Sequence, residues 1–326
     1  MIMQNVLKEI PSKSGKVLGA ALLLLAVAGC GTLSANESAS QGVAKGAVGD
    51  EKTDRLSLGS VPTAPTKGLA KGLTLPLNNY LYSAQERYAW QVATQDQWRS
   101  CMKGFSFEGF NPPAPLVEST VAQVETGMGR RYGVSDLSSV QKNGYHLDAD
   151  TPESPRWEPT PGAEEAVFTG DGPEISEGKY EGRPVPEGGC RGEAARMFPM
   201  PQSTEAEEAE AQAFSLSQSD PRTVKAMTAW SSCMKSKGFT VASPLKAPDL
   251  VRDSLAATEP AAEEIRLATA DVNCKKQSNL IPTWHGVEKA MQGIEITKRQ
   301  SELSQVKKEK ESAVAKFVQA YKKGAK

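Results

Sequence analysis

The sequence predicts a mostly α-helical protein. It would have two duplicated, disulfide-tied helical halves, a loop-rich insertion with short β segments in the first half, and a long C-terminal helix. Three observations carry that reading. Trp98-Arg99-Ser100-Cys101-Met102-Lys103 is matched by Trp230-Ser231-Ser232-Cys233-Met234-Lys235 at an offset of 132 residues, and a Gly-Phe pair follows each copy. Both copies end a run of apolar residues at helical spacing, and a further cysteine follows each, Cys190 and then Cys274. From Thr283 a broken apolar seam of Trp284, Val287, Met291, Ile294, Val306, Ala313, Phe317, Ala320 and Tyr321 continues to about Lys323.

The chain begins with a processing signal, residues 1–29. Lys8, Lys13 and Lys16 precede an uncharged apolar run from Val17 to Ala28. That run is short of the roughly 20 residues of a membrane span, and it fits the h-region of a secretory leader. It ends in Val27-Ala28-Gly29-Cys30, the pattern of a bacterial lipobox, in which small residues lie before a cysteine whose thiol is acylated. Two acyl chains anchor stably where one is marginal. The expected partner there is membrane lipid through acylated Cys30, at the extracytoplasmic face of the cell membrane. Removing the leader takes the net charge from −1 to −3.

Residues 30–75 read as a disordered tether, because Ser, Gly, Ala, Thr, Lys and Pro dominate and no aromatic residue occurs. The first helical half, 76–200, starts near Leu77. Ser83-Ala84-Gln85-Glu86 is a capping box that opens a helix to about Lys103, with Gly104 expected in the left-handed position beyond it. Tyr88, Val92, Trp98 and Met102 share its apolar face. A short helix from Ser135 follows, then a Pro- and Gly-rich run in which Val167-Phe168 and Lys179-Tyr180 could pair as a hairpin.

The second half, 201–326, repeats the plan. Asp220-Pro221 supplies an N-cap and a first-turn proline. Val224, Met227, Trp230, Cys233 and Met234 form the stripe, and Gly238 ends it. A helix from about Ala261 to Gln277 turns Ile265, Ala268, Val272 and Cys274 inward. The last helix has its weak point at Lys298–Gln305, where it bends or splits. Charge is uneven: residues 298–326 carry +6 and residues 148–219 carry −11. Both read first as solvated faces, and the basic end has a second reading as a contact for anionic lipid or wall polymer.

These pieces resemble the uncharacterised secreted lipoproteins of high-GC Gram-positive bacteria. The likeness rests on Leu75-Pro-Leu-Asn-Asn-Tyr80, the two Trp-x-x-Cys-Met helices, Arg131-Tyr132-Gly133 with Tyr145-His146, Gly189-Cys190-Arg-Gly-Glu-Ala194, and Ala268-Thr-Ala-Asp271-Val-Asn-Cys274. The resemblance implies location and disulfides, and no chemistry.

Cys101, Cys190, Cys233 and Cys274 are an even set for an oxidising compartment. They allow three pairings, of which the duplication favours Cys101–Cys190 and Cys233–Cys274. No C-x-x-C, H-E-x-x-H, G-x-S-x-G or phosphate loop occurs, and His146 and His285 are the only histidines. No metal, cofactor or nucleic acid is expected. A copper site from cysteines with Met102, Met234, Met197 and Met200 is weaker than the reading of those methionines as core. The expectation is a non-catalytic binding or interaction lipoprotein, with a wall polymer or membrane protein as partner. Trp98, Trp230 and Trp157 are the candidate binding residues, the first two flanking a cleft between the halves. A wall-associated hydrolase or accessory, and a sensor or immunity lipoprotein, are the alternatives.

Overall fold

The protein is described by a computed structural model over residues 58–147 and 157–324. The leader, Cys30 and residues 31–57 of the expected tether lie outside the described residues. Those described contain eleven α-helices and one two-stranded sheet, so the mostly helical class holds.

The first long helix, α1 (Ala84–Gly104), starts where the capping box places it. Glu86 N–H donates to Ser83 Oγ at 3.2 Å, and Ser83 N–H donates to Glu86 Oε2 at 2.7 Å. Gly104 stays inside the helix, and the left-handed residue is Ser106, with φ 72°. Two short helices, α2 (Val117–Gly127) and α3 (Leu137–Asn143), follow. Val167-Phe168 does not pair as a strand. It belongs to α4 (Ala163–Thr169), which buries both side chains. The hairpin is β1 (Lys179–Tyr180) against β2 (Arg183–Pro184). Cys190 lies in α5 (Gly189–Met197).

An acidic helix that the charge pattern concealed, α6 (Thr204–Ser219), buries a narrow stripe of Ala206, Ala209 and Ala213. Asp220 and Pro221 then open α7 (Pro221–Ser236), and Gly238 sits at φ +90° after it. Val224 points outward at 46% exposure, since Thr223, Ala226, Trp230 and Met234 make the buried face. After α8 (Arg252–Leu255) comes α9 (Ala262–Gln277), which carries Cys274. The C-terminal seam splits into α10 (Leu280–Lys298) and α11 (Gln300–Gly324), and the break at Arg299 falls inside the weak stretch.

Packing does not follow the sequence boundary at residue 200. The second-half core of Trp230, Met234, Leu267, Val272, Leu280, Ile281 and Trp284 includes Tyr132, Val134, Val140 and Tyr145 from the first half. Conversely, Ala313, Phe317 and Tyr321 of α11 pack on Tyr88, Ala89 and Val92 of α1. Each half thus lends a segment to the other. The end of the expected tether is also packed: Val61, Ala70 and Leu75 are buried, and Leu69 and Leu73 lie against the second-half core. Scattered aliphatic residues suffice there because they lie on cores that other elements have already formed.

Cys101–Cys190 ties α1 to α5, and Cys233–Cys274 ties α7 to α9, each with 5.6 Å between Cα atoms. These are the pairs the duplication favours. They close loops of 89 and 41 residues. The chain-entropy relation gives about 4–5 kcal/mol for the longer loop and about 4 kcal/mol for the shorter. Replacing either pair by serines is therefore expected to lower unfolding free energy by roughly 2–5 kcal/mol in a urea titration. Recovery of Cys101 linked to Cys233 in unreduced peptide maps would overturn the pairing.

Candidate functional site

The densest chemistry in the molecule lies in one buried polar network, where residues 130–146 cross α9 and α10. Its first centre is on α9. Lys275 and Asp271 are one helical turn apart and wholly buried, with Nζ 3.0 Å from Oδ2. The ammonium also donates to the Val134 carbonyl at 2.8 Å. Asp271 accepts from Trp230 Nε1 at 2.9 Å and from the Tyr145 hydroxyl at 3.2 Å. Burial pushes the Asp271 carboxyl up and pulls the Lys275 ammonium down, and each one's charge opposes the other's neutralisation.

The second centre is on α10. Glu288 is fully buried and accepts from Arg131 Nε at 2.8 Å, from the Tyr132 hydroxyl at 2.8 Å and from Gln292 Nε2 at 3.1 Å. Arg131 spans to Glu210 of α6 at 2.9 Å and lies over the Phe214 ring. Gln292 in turn accepts the Leu77 N–H at 2.9 Å, fixing the segment before α1.

The third centre is Glu264, also fully buried. It accepts from the Tyr145 N–H at 2.8 Å and from the Ser254 hydroxyl, and it meets His146 Nδ1 at 2.8 Å. The other ring nitrogen of His146 lies 3.0 Å from the Ala257 carbonyl. Both neighbours are acceptors, so both ring nitrogens must donate, and the imidazolium form satisfies both. Partial burial pulls the His146 pKa down. The bonds to Ala257 and to Glu264, with the carboxylate charge, raise it further than burial lowers it.

Two glycines let the backbone approach. Gly133 has φ +79°, and a Cβ there would lie 2.7 Å from Lys275 Nζ. Gly144 has φ +57°, and a Cβ would run into the Glu264 carboxylate. Arg131-Tyr132-Gly133, Tyr145-His146 and Asp271 therefore meet in one place. Lys275, Glu264 and Glu288 complete the network and were not singled out in the sequence. The signal was present, because Glu264, Asp271 and Lys275 fall on the same helical face as Leu267, Ala268 and Cys274.

The tryptophans separate. Trp230 is 0% exposed, so it is a core residue and not the wall of a cleft. Trp98 and Trp157 belong to a different cluster, with Phe110 and Phe168. Trp98 meets Phe168 edge-on at 5.2 Å, and Trp157 meets Phe110 edge-on at 5.2 Å; both tryptophans are partly exposed. The Trp98 Nε1 has no hydrogen-bond partner among the described residues, in contrast to its counterpart Trp230. Trp98 and Trp230 thus lie in separate clusters, and an open recess lies elsewhere, on α7 and α9, lined by Cys233, Phe239, Arg266, Asn273 and Gln277. Met102 and Met234 are fully buried in separate cores. Among the described residues, no three His, Cys, Asp or Glu side chains gather as metal ligands.

Comparison with protein-family models, with curated proteins and with solved structures found no match.

Chemically, the network stabilises one arrangement of loops and helices, since its buried charges are committed to each other. Two outcomes are expected. Lys275→Met should cost about 3–5 kcal/mol in denaturant unfolding because it strands a buried carboxylate. Lys275→Met with Asp271→Leu should cost less than the sum of the two single losses, although Trp230, Tyr145 and Val134 lose a partner, and strictly additive losses would contradict the pairing. The second outcome concerns pH. A raised folded-state pKa means that the His146 contribution is complete below about 6.5 and is lost as pH rises through the folded value. Wild-type stability should therefore fall over that upper window relative to His146→Gln. Parallel stability curves for the two proteins would exclude the imidazolium.

Proposed function

We propose that the protein is a lipid-anchored, extracytoplasmic binding or interaction protein that performs no catalysis. The observation carrying the anchoring is Val27-Ala28-Gly29-Cys30 at the end of a short apolar run behind three lysines. Two disulfides on a chain of this kind are in keeping with an oxidising compartment. The resemblance to secreted lipoproteins of high-GC Gram-positive bacteria points the same way.

The binding face we favour is the aromatic cluster of the first half. Trp98 and Trp157 keep part of their ring surface exposed there, while the Trp98 N–H itself is enclosed, so the face offers apolar and aromatic contact. A wall polymer or a membrane protein is the partner class that such a face and such a location suit. Trp230 drops out of the proposal, since its ring is enclosed and its N–H is bonded to Asp271.

Cys30→Ser tests the anchoring. It should release the protein into the medium or leave an unprocessed precursor, and unchanged membrane partition at mature size would refute the reading. The non-catalytic part is tested with residues outside the buried network. Among the described residues His285 Nε2 donates to the Thr74 carbonyl, and Asp136 caps α3. If His285→Ala or Asp136→Asn abolished a deletion phenotype in folded, anchored, oxidised protein, catalysis would become the better reading.

A further inference from the structure

The outer face of α11 carries lysines that no part of the fold uses. Leu303, Lys310, Ala313, Phe317 and Tyr321 turn inward. The opposite side exposes Lys308, Ser312, Ala315, Lys316, Gln319, Lys322 and Lys323. At 100° per residue these seven lie within an arc of about 120°. Among the described residues, Lys308, Lys316, Lys322 and Lys323 make no ion pair, whereas Lys307 meets Glu311 and Lys310 meets Glu86. The helix acids keep to the flanks: Glu311 is engaged by Lys307, and Glu309 accepts from Gln305. Over the 15 residue steps from Lys308 to Lys323 the stripe is about 22 Å long.

A second observation says what covers it. The first described residue, Leu58, packs against the cluster that α1 and α11 share. The chain leading from Cys30 therefore joins the fold at α1, whose other neighbour in that cluster is α11. It spans 28 residue steps, so its reach cannot exceed about 100 Å. A lipid anchor on that segment would hold the molecule, and with it the α11 stripe, within range of the bilayer. There a weak electrostatic contact becomes effective because it is intramolecular.

We propose that the α11 lysine stripe is a docking surface for a bilayer rich in anionic lipid, and that it lays this helix along the membrane. The proposal rests on the Cys30 reading for its geometry. Four cations near such a surface, each favouring contact roughly fivefold, are enough to bias orientation and too few to anchor alone. The contact leaves the first-half aromatic cluster, which contains no residue of α11, available to a partner.

The test uses the mature acylated protein with vesicles of phosphatidylcholine, alone or with phosphatidylglycerol. Flotation reports anchoring. Amine acylation followed by mass spectrometry reports the accessibility of Lys308, Lys316, Lys322 and Lys323 against Lys225, Lys235 and Lys276 on α7 and α9. On anionic vesicles the four stripe lysines should label several-fold more slowly and the controls should not. The difference should vanish near 1 M salt, where screening acts within about 3 Å. Equal labelling on floated protein overturns the docking surface and leaves anchoring intact. Flotation on the anionic vesicles alone supports the surface and overturns anchoring, and flotation on neither overturns both. Protection by soluble polyphosphate but not by vesicles would assign the stripe to a wall polymer and overturn the membrane. In Lys308→Gln/Lys316→Gln/Lys322→Gln/Lys323→Gln, Lys307 and Lys298 should label alike on both vesicles.

Discussion

Lys275 is the constraint on which the rest of the structure depends. Its ammonium has no exposed surface, and burying an unpaired cation costs several kcal/mol. Two acceptors must therefore be held against it. One is Asp271, a turn earlier on the same helix, and the other is the Val134 carbonyl, 141 residues away in sequence. The second forces residues 130–134 onto α9, and Gly133 is the residue that lets the backbone come so close. Asp271 then recruits Trp230 and Tyr145, so α7 and the loop after α3 are fixed by the same pair of charges. Arg131 and Tyr132, carried along by that approach, reach Glu288 on α10.

The two halves share a Trp-x-x-Cys-Met helix and differ most at its tryptophan. Trp230 is enclosed and donates to an acid. Trp98 sits among aromatic rings with its N–H unbonded among the described residues. The difference follows from the partner helix. Three residues before Cys274 stands Asp271, within a helical turn that faces Trp230. Three residues before Cys190 stands Glu187, outside α5 and exposed. Without an inward acid, the first half closed its core with Phe105, Phe110 and Phe168 instead. One copy became a polar clamp on a borrowed segment, and the other kept an aromatic face.

Much of this was legible in the sequence where the signals are local. The capping box at Ser83, the Asp220-Pro221 start, the break near Arg299 and both disulfide pairs rest on short-range chemistry or on the duplication. What failed depended on distant neighbours. Val167-Phe168 has β propensity, but burial against the Cys101–Cys190 cluster holds it in a helix. α6 was hidden because its buried stripe is alanine, which leaves little apolar contrast against four glutamates. Residues 58–75 looked too polar to fold, yet they lie on a core that other elements supply. The network was half legible. Arg131, Tyr132, Tyr145, His146 and Asp271 stood out in motifs, while Lys275, Glu264 and Glu288 belong to no motif. Only the face they occupy on α9 and α10 betrays them.

Cys233–Cys274 and the network restrain the same region by different physics. A disulfide acts mainly on the unfolded chain, by removing conformations that it would otherwise explore. The buried charges act on the folded state, where each is tolerated only while its partners stay in place. Cys233–Cys274 holds α7 to α9 whatever the protonation state, while His146 and Glu264 hold residues 254–264 to the loop after α3 most tightly in their charged forms. The consequence is a hierarchy within the second half. The α7–α9 pair is covalently secured, and the segment around α8 depends on ionisation. Two of its ties, Ser254 and the Ala257 carbonyl, run through one glutamate and one histidine. Opening in this half should therefore begin at residues 254–264 and stop at the disulfide.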